Sequence, residues 1–212
     1  MLKKKIIKFP NNIKKMKPKS FFSGYFKTLE KTINEIDLNK IEKIYKILNS
    51  TINKNNQIFV AGNGGSAAVS NHLLCDFNKG IKLSSKKKLL PKVISLSSSI
   101  ETITAISNDI SYDEIFSFQL ENYVRKNDCL FLFSSSGKSK NIINAINFCK
   151  NKKIKVILVT GFLEKKNNKN YKVDVHLDLN CKNYGITEDL FSSLMHMIVQ
   201  SIRHNYQKNE VL

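Results

Sequence analysis

Two short apolar runs, each emptying into a turn of glycine or serine, constrain this chain most. Gln57 to Ala61 (QIFVA) leads into Gly62-Asn63-Gly64-Gly65-Ser66, and Cys129 to Phe133 (CLFLF) leads into Ser134-Ser135-Ser136-Gly137-Lys138-Ser139. Helical spacing follows both turns, to about Phe77 and about Lys150. Apolar runs of this length fit strands covered on both faces. Such strands alternating with helices build a parallel sheet with helices on either side. Lys92 to Leu96, Lys155 to Thr160 and Val173 to Leu177 read as further strands. Ser99 to Asn108, Tyr112 to Arg125, and Gly185 to about His204 read as helices. The fold class predicted is α/β, in three layers.

Upstream, Phe22, Tyr25, Leu29 and Ile33 share one helical face, and Ile41, Ile44, Tyr45 and Leu48 share another, with a break near Asp37. They predict two added N-terminal helices. Residues 1–20 are basic and punctuated by Pro10 and Pro18, which reads as a loosely ordered arm before one domain over residues 21–212. No apolar stretch is long enough to span a bilayer or serve as a secretory signal, so the expected location is the cytoplasm, without a membrane partner. Cys75, Cys129, Cys149 and Cys181 lack C-x-x-C spacing and read as free thiols. The formal net charge is +18, but the lysines are spread along the chain with no basic stripe of interleaved aromatics. Nucleic acid is therefore not expected as the main partner.

Both Gly/Ser turns lie where a strand ends and a helix begins, the edge at which open parallel sheets bind ligands. Backbone N–H groups at a helix start carry partial positive charge, glycine permits close approach, and serine hydroxyls donate hydrogen bonds without adding charge. One such turn alone reads equally as a capping turn. Two such turns at the sheet edge of one domain point to phosphate. Gly137-Lys138-Ser139 is not a nucleotide P-loop, because Leu132 stands where that motif needs glycine. The first turn has Ala67 in place of the third glycine of a dinucleotide fingerprint.

His72 and Asp76 are spaced i, i+4 on the helix after the first turn. Glu188 and His196 lie eight residues apart on the last helix, near the same side. Two imidazoles and two carboxylates suit a divalent metal such as zinc, and equally proton transfer beside a phosphate pocket. Each histidine taken alone also fits a hydrogen-bonded, half-buried position. His176 and His204 have no acidic partner at useful spacing.

The ordered set AGNGGSAA, NH-x-x-x-D, ITAISND-x-x-YDEIF, SSSGKS and a final E-x7-H helix resembles the sugar-isomerase (SIS) domain family, and within it the phosphoheptose isomerases. The likeness runs from about Phe21 to about Arg203. It implies a flavodoxin-like α/β/α fold with a five-stranded parallel sheet, a homotetramer, and conversion of sedoheptulose 7-phosphate to D-glycero-D-manno-heptose 7-phosphate for surface polysaccharide synthesis. By position it implies that Gly64, Ser66, Ser134, Ser135, Ser136 and Ser139 hold the phosphate end, and that Asn63 and Asp109 contact the sugar. It makes Asp76 the base and His196 the acid, with His72, Asp76, Glu188 and His196 around zinc and no organic cofactor. The chain departs from the family pattern at Asp76 (usually Glu), Glu188 (usually Gln) and Lys138 (usually Asn). A rival reading is a non-catalytic SIS-domain scaffold, like the replication-initiator-associating protein, or a phosphosugar-binding regulator; paired His72 and His196 favour the enzyme.

Overall fold

The structure is a computed structural model that describes residues 6–11, 15–85, 88–163 and 171–206. Five strands form one sheet: β2 (Gln57–Ala61), β3 (Lys92–Ser95), β4 (Cys129–Ser134), β5 (Lys155–Thr160) and β6 (Val175–Asp178). Their order is β3-β2-β4-β5-β6 and every pairing is parallel. Ile58, for example, stands opposite both Val93 and Cys129.

Period-two alternation divides the core between the two sheet faces. Ile58, Val60, Cys129, Phe131 and Phe133 point to one face, where they meet Leu48, Leu73, Phe191 and Ile198. These partners come from α2 (Leu38–Asn53), α3 (Gly65–Cys75) and α8 (Tyr184–Tyr206). Phe59, Ala61, Leu130 and Leu132 point the other way, onto Ile106, Leu120, Ile142 and Cys149. Those belong to α5 (Ile100–Asp109), α6 (Ser117–Tyr123) and α7 (Lys140–Asn151). The central strands β2, β4 and β5 are apolar almost throughout because both their faces are buried, at roughly 1.5–3 kcal/mol for each large side chain.

The helix starts follow local chemistry. Pro18 opens α1 (Pro18–Asn34), where its missing N–H costs nothing. Asp37 caps α2 by accepting from the N–H groups of Asn39 and Lys40, and Ser99 caps α5 by accepting from Thr102 N–H. Asn183 does the same for α8, at 2.9 Å from Ile186 N.

Three local expectations are revised. Within the supposed loose arm, Ile7–Lys8 forms a short strand, β1, parallel to β7 (Cys181–Lys182). Ile7 and Phe9 are buried, and Phe9 packs its ring on Phe21 and Tyr25. Apolar residues on alternate positions give this segment a reason to dock; residues 1–5 and 12–14 lie outside the described set. The stretch Tyr112 to Arg125 breaks into a 3-10 turn at Tyr112–Glu114 and then α6. Finally, α3 does not stop near Phe77. It passes through a π-helical turn, Asp76–Ile81, into α4 (Lys82–Ser84). Such wide turns cluster at functional sites, and this one starts on Asp76. Among the described residues no helix is long and apolar enough to cross a membrane.

Candidate active site

β2 and β4 are neighbours, and the chain leaves β2 toward β3 on one side but returns to β4 on the other. A reversal of this kind opens a crevice beyond the carboxyl ends of the two strands. Both Gly/Ser turns open into it. A cavity of about 330 Å³ is lined by Asn63, Gly64, Gly65 and Ser66 from the first turn and by Ser134, Ser135, Ser136 and Ser139 from the second. Gly64 has φ +56°, a conformation that admits glycine readily. Unlike Asp37, Ser99 and Asn183, the N-cap residues Gly64 and Ser139 give their helices no side-chain hydrogen bond. The amino ends of α3 and α7 thus keep their positive character toward the cavity, which favours the anion-cradle reading over simple capping.

The last helix supplies another wall, through Tyr184 and Glu188. Glu188 packs tightly over Gly65: a Cβ added there would fall 2.3 Å from its carboxylate carbon. Only glycine at 65 leaves space for that side chain. Beneath the second turn, Thr160 donates to Asp178 Oδ1 and accepts from His176 Nε2, both at 2.9 Å. Burial, and then Lys40, lower the His176 pKa to about 4, so this imidazole is a neutral brace. Tyr171 donates its hydroxyl to the Gly137 carbonyl on the same side.

Farther along the same two helices, three of the four expected metal ligands meet. His72 Nε2 lies 3.4 Å from Asp76 Oδ1 and 3.4 Å from His196 Nε2, and His196 Nε2 lies 3.6 Å from Asp76 Oδ2. Four ligands at zinc's usual 2.0–2.1 Å, arranged tetrahedrally, stand about 3.3–3.4 Å from one another. The donors therefore fit a cation in both type and spacing, and all three side chains are at least partly solvent-accessible. This cluster is about two helical turns, or roughly 10 Å, beyond the start of α3.

Two expected site residues sit elsewhere. Glu188 is on the cavity wall rather than in the His72–Asp76–His196 cluster, because eight residues of helix separate it from His196 by about 12 Å of rise. Asp109 ends α5 exposed, accepting a hydrogen bond from Asn108 at 2.8 Å, and does not line the cavity. Gly65 and Tyr184 line it without having been singled out.

Residues 21–161 match the SIS domain family. The chain is 37% identical over 139 residues to a probable phosphoheptose isomerase of Thermoplasma volcanium, covering 66% of this chain and 69% of that one. It is 35% identical over 140 residues to the phosphoheptose isomerase of Aliarcobacter butzleri, covering 66% and 72%. The fold superposes on that of a phosphoheptose isomerase from Francisella tularensis with a TM-score of 0.77, at 22% identity, covering 88% of this chain and 96% of that one. The chain belongs to the SIS-domain family and, within it, groups with the phosphoheptose isomerases.

Proposed function

We propose that this chain is an aldose–ketose isomerase that converts sedoheptulose 7-phosphate to D-glycero-D-manno-heptose 7-phosphate, supplying heptose for surface polysaccharide. One observation carries the reading. α3 and α8 each run from the doubly cradled cavity to the His72–Asp76–His196 cluster, so a phosphate held at one end directs a sugar chain toward acid and base groups at the other.

In this mechanism Ser66, Ser134, Ser135, Ser136 and Ser139, with backbone N–H groups of both turns, seat the phosphate and orient the open-chain sugar. Gly64 lets the backbone approach and Asn63 contacts a sugar oxygen, while Asp109, which does not line the cavity, would reach the sugar only beyond it. Asp76 removes the proton from the carbon beside the carbonyl and returns it to the neighbouring carbon. His196 gives a proton to the carbonyl oxygen and regains one from the adjacent hydroxyl. Alternatively, His72, Asp76 and His196 would together hold a divalent metal, zinc being the ion these donors suit, which would supply a Lewis acid for the carbonyl oxygen in place of the His196 proton. Glu188 would join as fourth ligand only by leaving Gly65. Hydrogen moves within one molecule, so no organic cofactor is required.

We further propose that residues 21–212, with the Ile7–Phe9 segment docked on them, form one domain, that four copies assemble, and that the enzyme works in the cytoplasm. Phe22 and Phe26, at 60% and 67% exposure on α1, support assembly, and four free thiols support a reducing compartment. The test is to incubate the purified protein with sedoheptulose 7-phosphate and follow the aldose by NMR, with and without added zinc. Turnover that is lost in Asp76→Asn and His196→Ala is the expected result. Absence of turnover under both conditions would refute the isomerase and favour the scaffold or regulator.

A further inference from the structure

Asn63 stands at the junction of three connections of the sheet. Its Oδ1 accepts from the hydroxyl of Tyr112 at 3.0 Å and from Nδ2 of Asn141 at 3.1 Å. Its own Nδ2 donates to Asn141 Oδ1 at 2.9 Å. Tyr112 comes from the connection after β3, Asn63 from that after β2, and Asn141 from the first turn of α7 after β4. A side-chain amide offers two acceptor lone pairs and two donor hydrogens. Both lone pairs of Asn63 are taken and one hydrogen is committed, leaving a single N–H on a residue that lines the cavity.

Asn141 is 1% exposed, in line with buried Ala145 and Cys149 on the face of α7 that packs on the sheet. A polar amide in that row needs partners, and Asn63 supplies them. We infer that Asn141 and Tyr112 are positioning residues that fix the Asn63 amide as a hydrogen-bond donor toward an acceptor oxygen of the sugar. This inference rests on the phosphosugar reading of the cavity. It adds a specificity rule: the oxygen facing Asn63 must accept, so a carbonyl or hydroxyl lone pair fits there and a group that can only donate does not. It also links the two phosphate turns, because the amide pair joins the first turn to the helix that begins at the second.

The test compares binding of sedoheptulose 7-phosphate and of inorganic phosphate by calorimetry, in the full chain and in Tyr112→Phe, Asn141→Asp and Asn63→Ala. In Asn141→Asp a carboxylate oxygen replaces Nδ2 and faces Asn63 Oδ1 with no proton between them, so the two side chains repel and the Asn63 amide loses its aim at the cavity. Tyr112→Phe, at an exposed position, guards against misfolding of the buried variant. Both variants should bind the sugar phosphate about three- to tenfold more weakly while inorganic phosphate changes less than about twofold, as expected for one displaced hydrogen bond. In the Asn63→Ala background, Tyr112→Phe should add less than about twofold. Equal losses for both ligands would show that these residues merely brace the phosphate turns, and would overturn the inference. So would unchanged sugar-phosphate affinity in both variants, or a wild type that binds the sugar phosphate no tighter than phosphate itself. Sugar-phosphate binding without turnover would sink the isomerase reading while leaving this inference standing.

Discussion

Glu188 places a carboxylate on the wall of a cavity whose other walls are serine side chains and the amino ends of α3 and α7. A volume of about 330 Å³ corresponds to a sphere roughly 4 Å in radius, so a phosphate seated on the serine turns lies about 7 Å from that carboxylate. A dianion and a single charge at that separation repel by about 1 kcal/mol in a site with the dielectric of water, and by more as water is excluded. Glu188→Gln keeps the shape and removes the charge. Inorganic phosphate should then bind about fivefold more tightly at low ionic strength, with the difference shrinking at physiological salt as screening sets in. Glu42→Gln, on the exposed face of α2, serves as the control and should change nothing. Titration calorimetry at a pH where phosphate is dianionic reads the effect. Unchanged or weaker phosphate binding in Glu188→Gln would refute the reasoning, because it would mean that the carboxylate does not face the anion.

Gly65→Ala should leave the melting temperature level or slightly higher, since alanine favours helix over glycine by roughly 0.5–1 kcal/mol. It should still force the Glu188 carboxylate off the cavity wall and reproduce the tighter phosphate binding; unaltered affinity would show that the two residues do not pack. Asp128 is 2% exposed and accepts from the backbone N–H groups of Gln57 at 2.8 Å and Arg125 at 2.7 Å. Asp128→Ala should cost about 3 kcal/mol and lower the melting temperature by about 6–12 °C in calorimetry, whereas a loss under about 2 °C would contradict those bonds. His176, neutral and half-buried, gains no proton in the native state until about pH 4, while the unfolded chain protonates it near 6.5. Its contribution to stability is therefore complete above about 6.5 and is lost as pH falls toward 4, by up to about 3 kcal/mol. The stability advantage of wild type over His176→Gln, measured across that range so that the opposing upward shift of Asp178 cancels, should shrink steadily with acid; parallel curves would refute it.

β2, β4 and β5 were legible because apolar residues fill both faces of each run, a pattern that buried parallel strands need and exposed ones lack. That the two turns line a cavity was legible for a similar reason: serine and glycine packed into a strand-to-helix turn have little use in a core. His72 and Asp76 share a helix face by spacing alone, and that pairing holds. The approach of His196 is long-range, set by the packing of α8 against α3, and no periodicity encodes it. Glu188 was drawn toward the metal by its spacing from His196 and by resemblance, yet its position answers to Gly65, whose missing Cβ is visible only in three dimensions. Asn141 did leave a signal, a polar residue in step with Ala145 and Cys149 on a buried face. Its partner on another connection could not be named from one sequence. Ile7 and Phe9 were masked by the lysines around them, although their alternation was a strand pattern in miniature.

β1 pairs residues 7 and 8 with residues 181 and 182, immediately before the helix that walls the cavity. During synthesis, the N-terminal segment must therefore wait, undocked, while nearly the entire polypeptide emerges. Contacts of such sequence separation form late, after the local βα units have condensed. The mature pocket is accordingly a product of the closing moments of folding, and a nascent chain still lacking its last helix would carry both serine–glycine turns without their third wall.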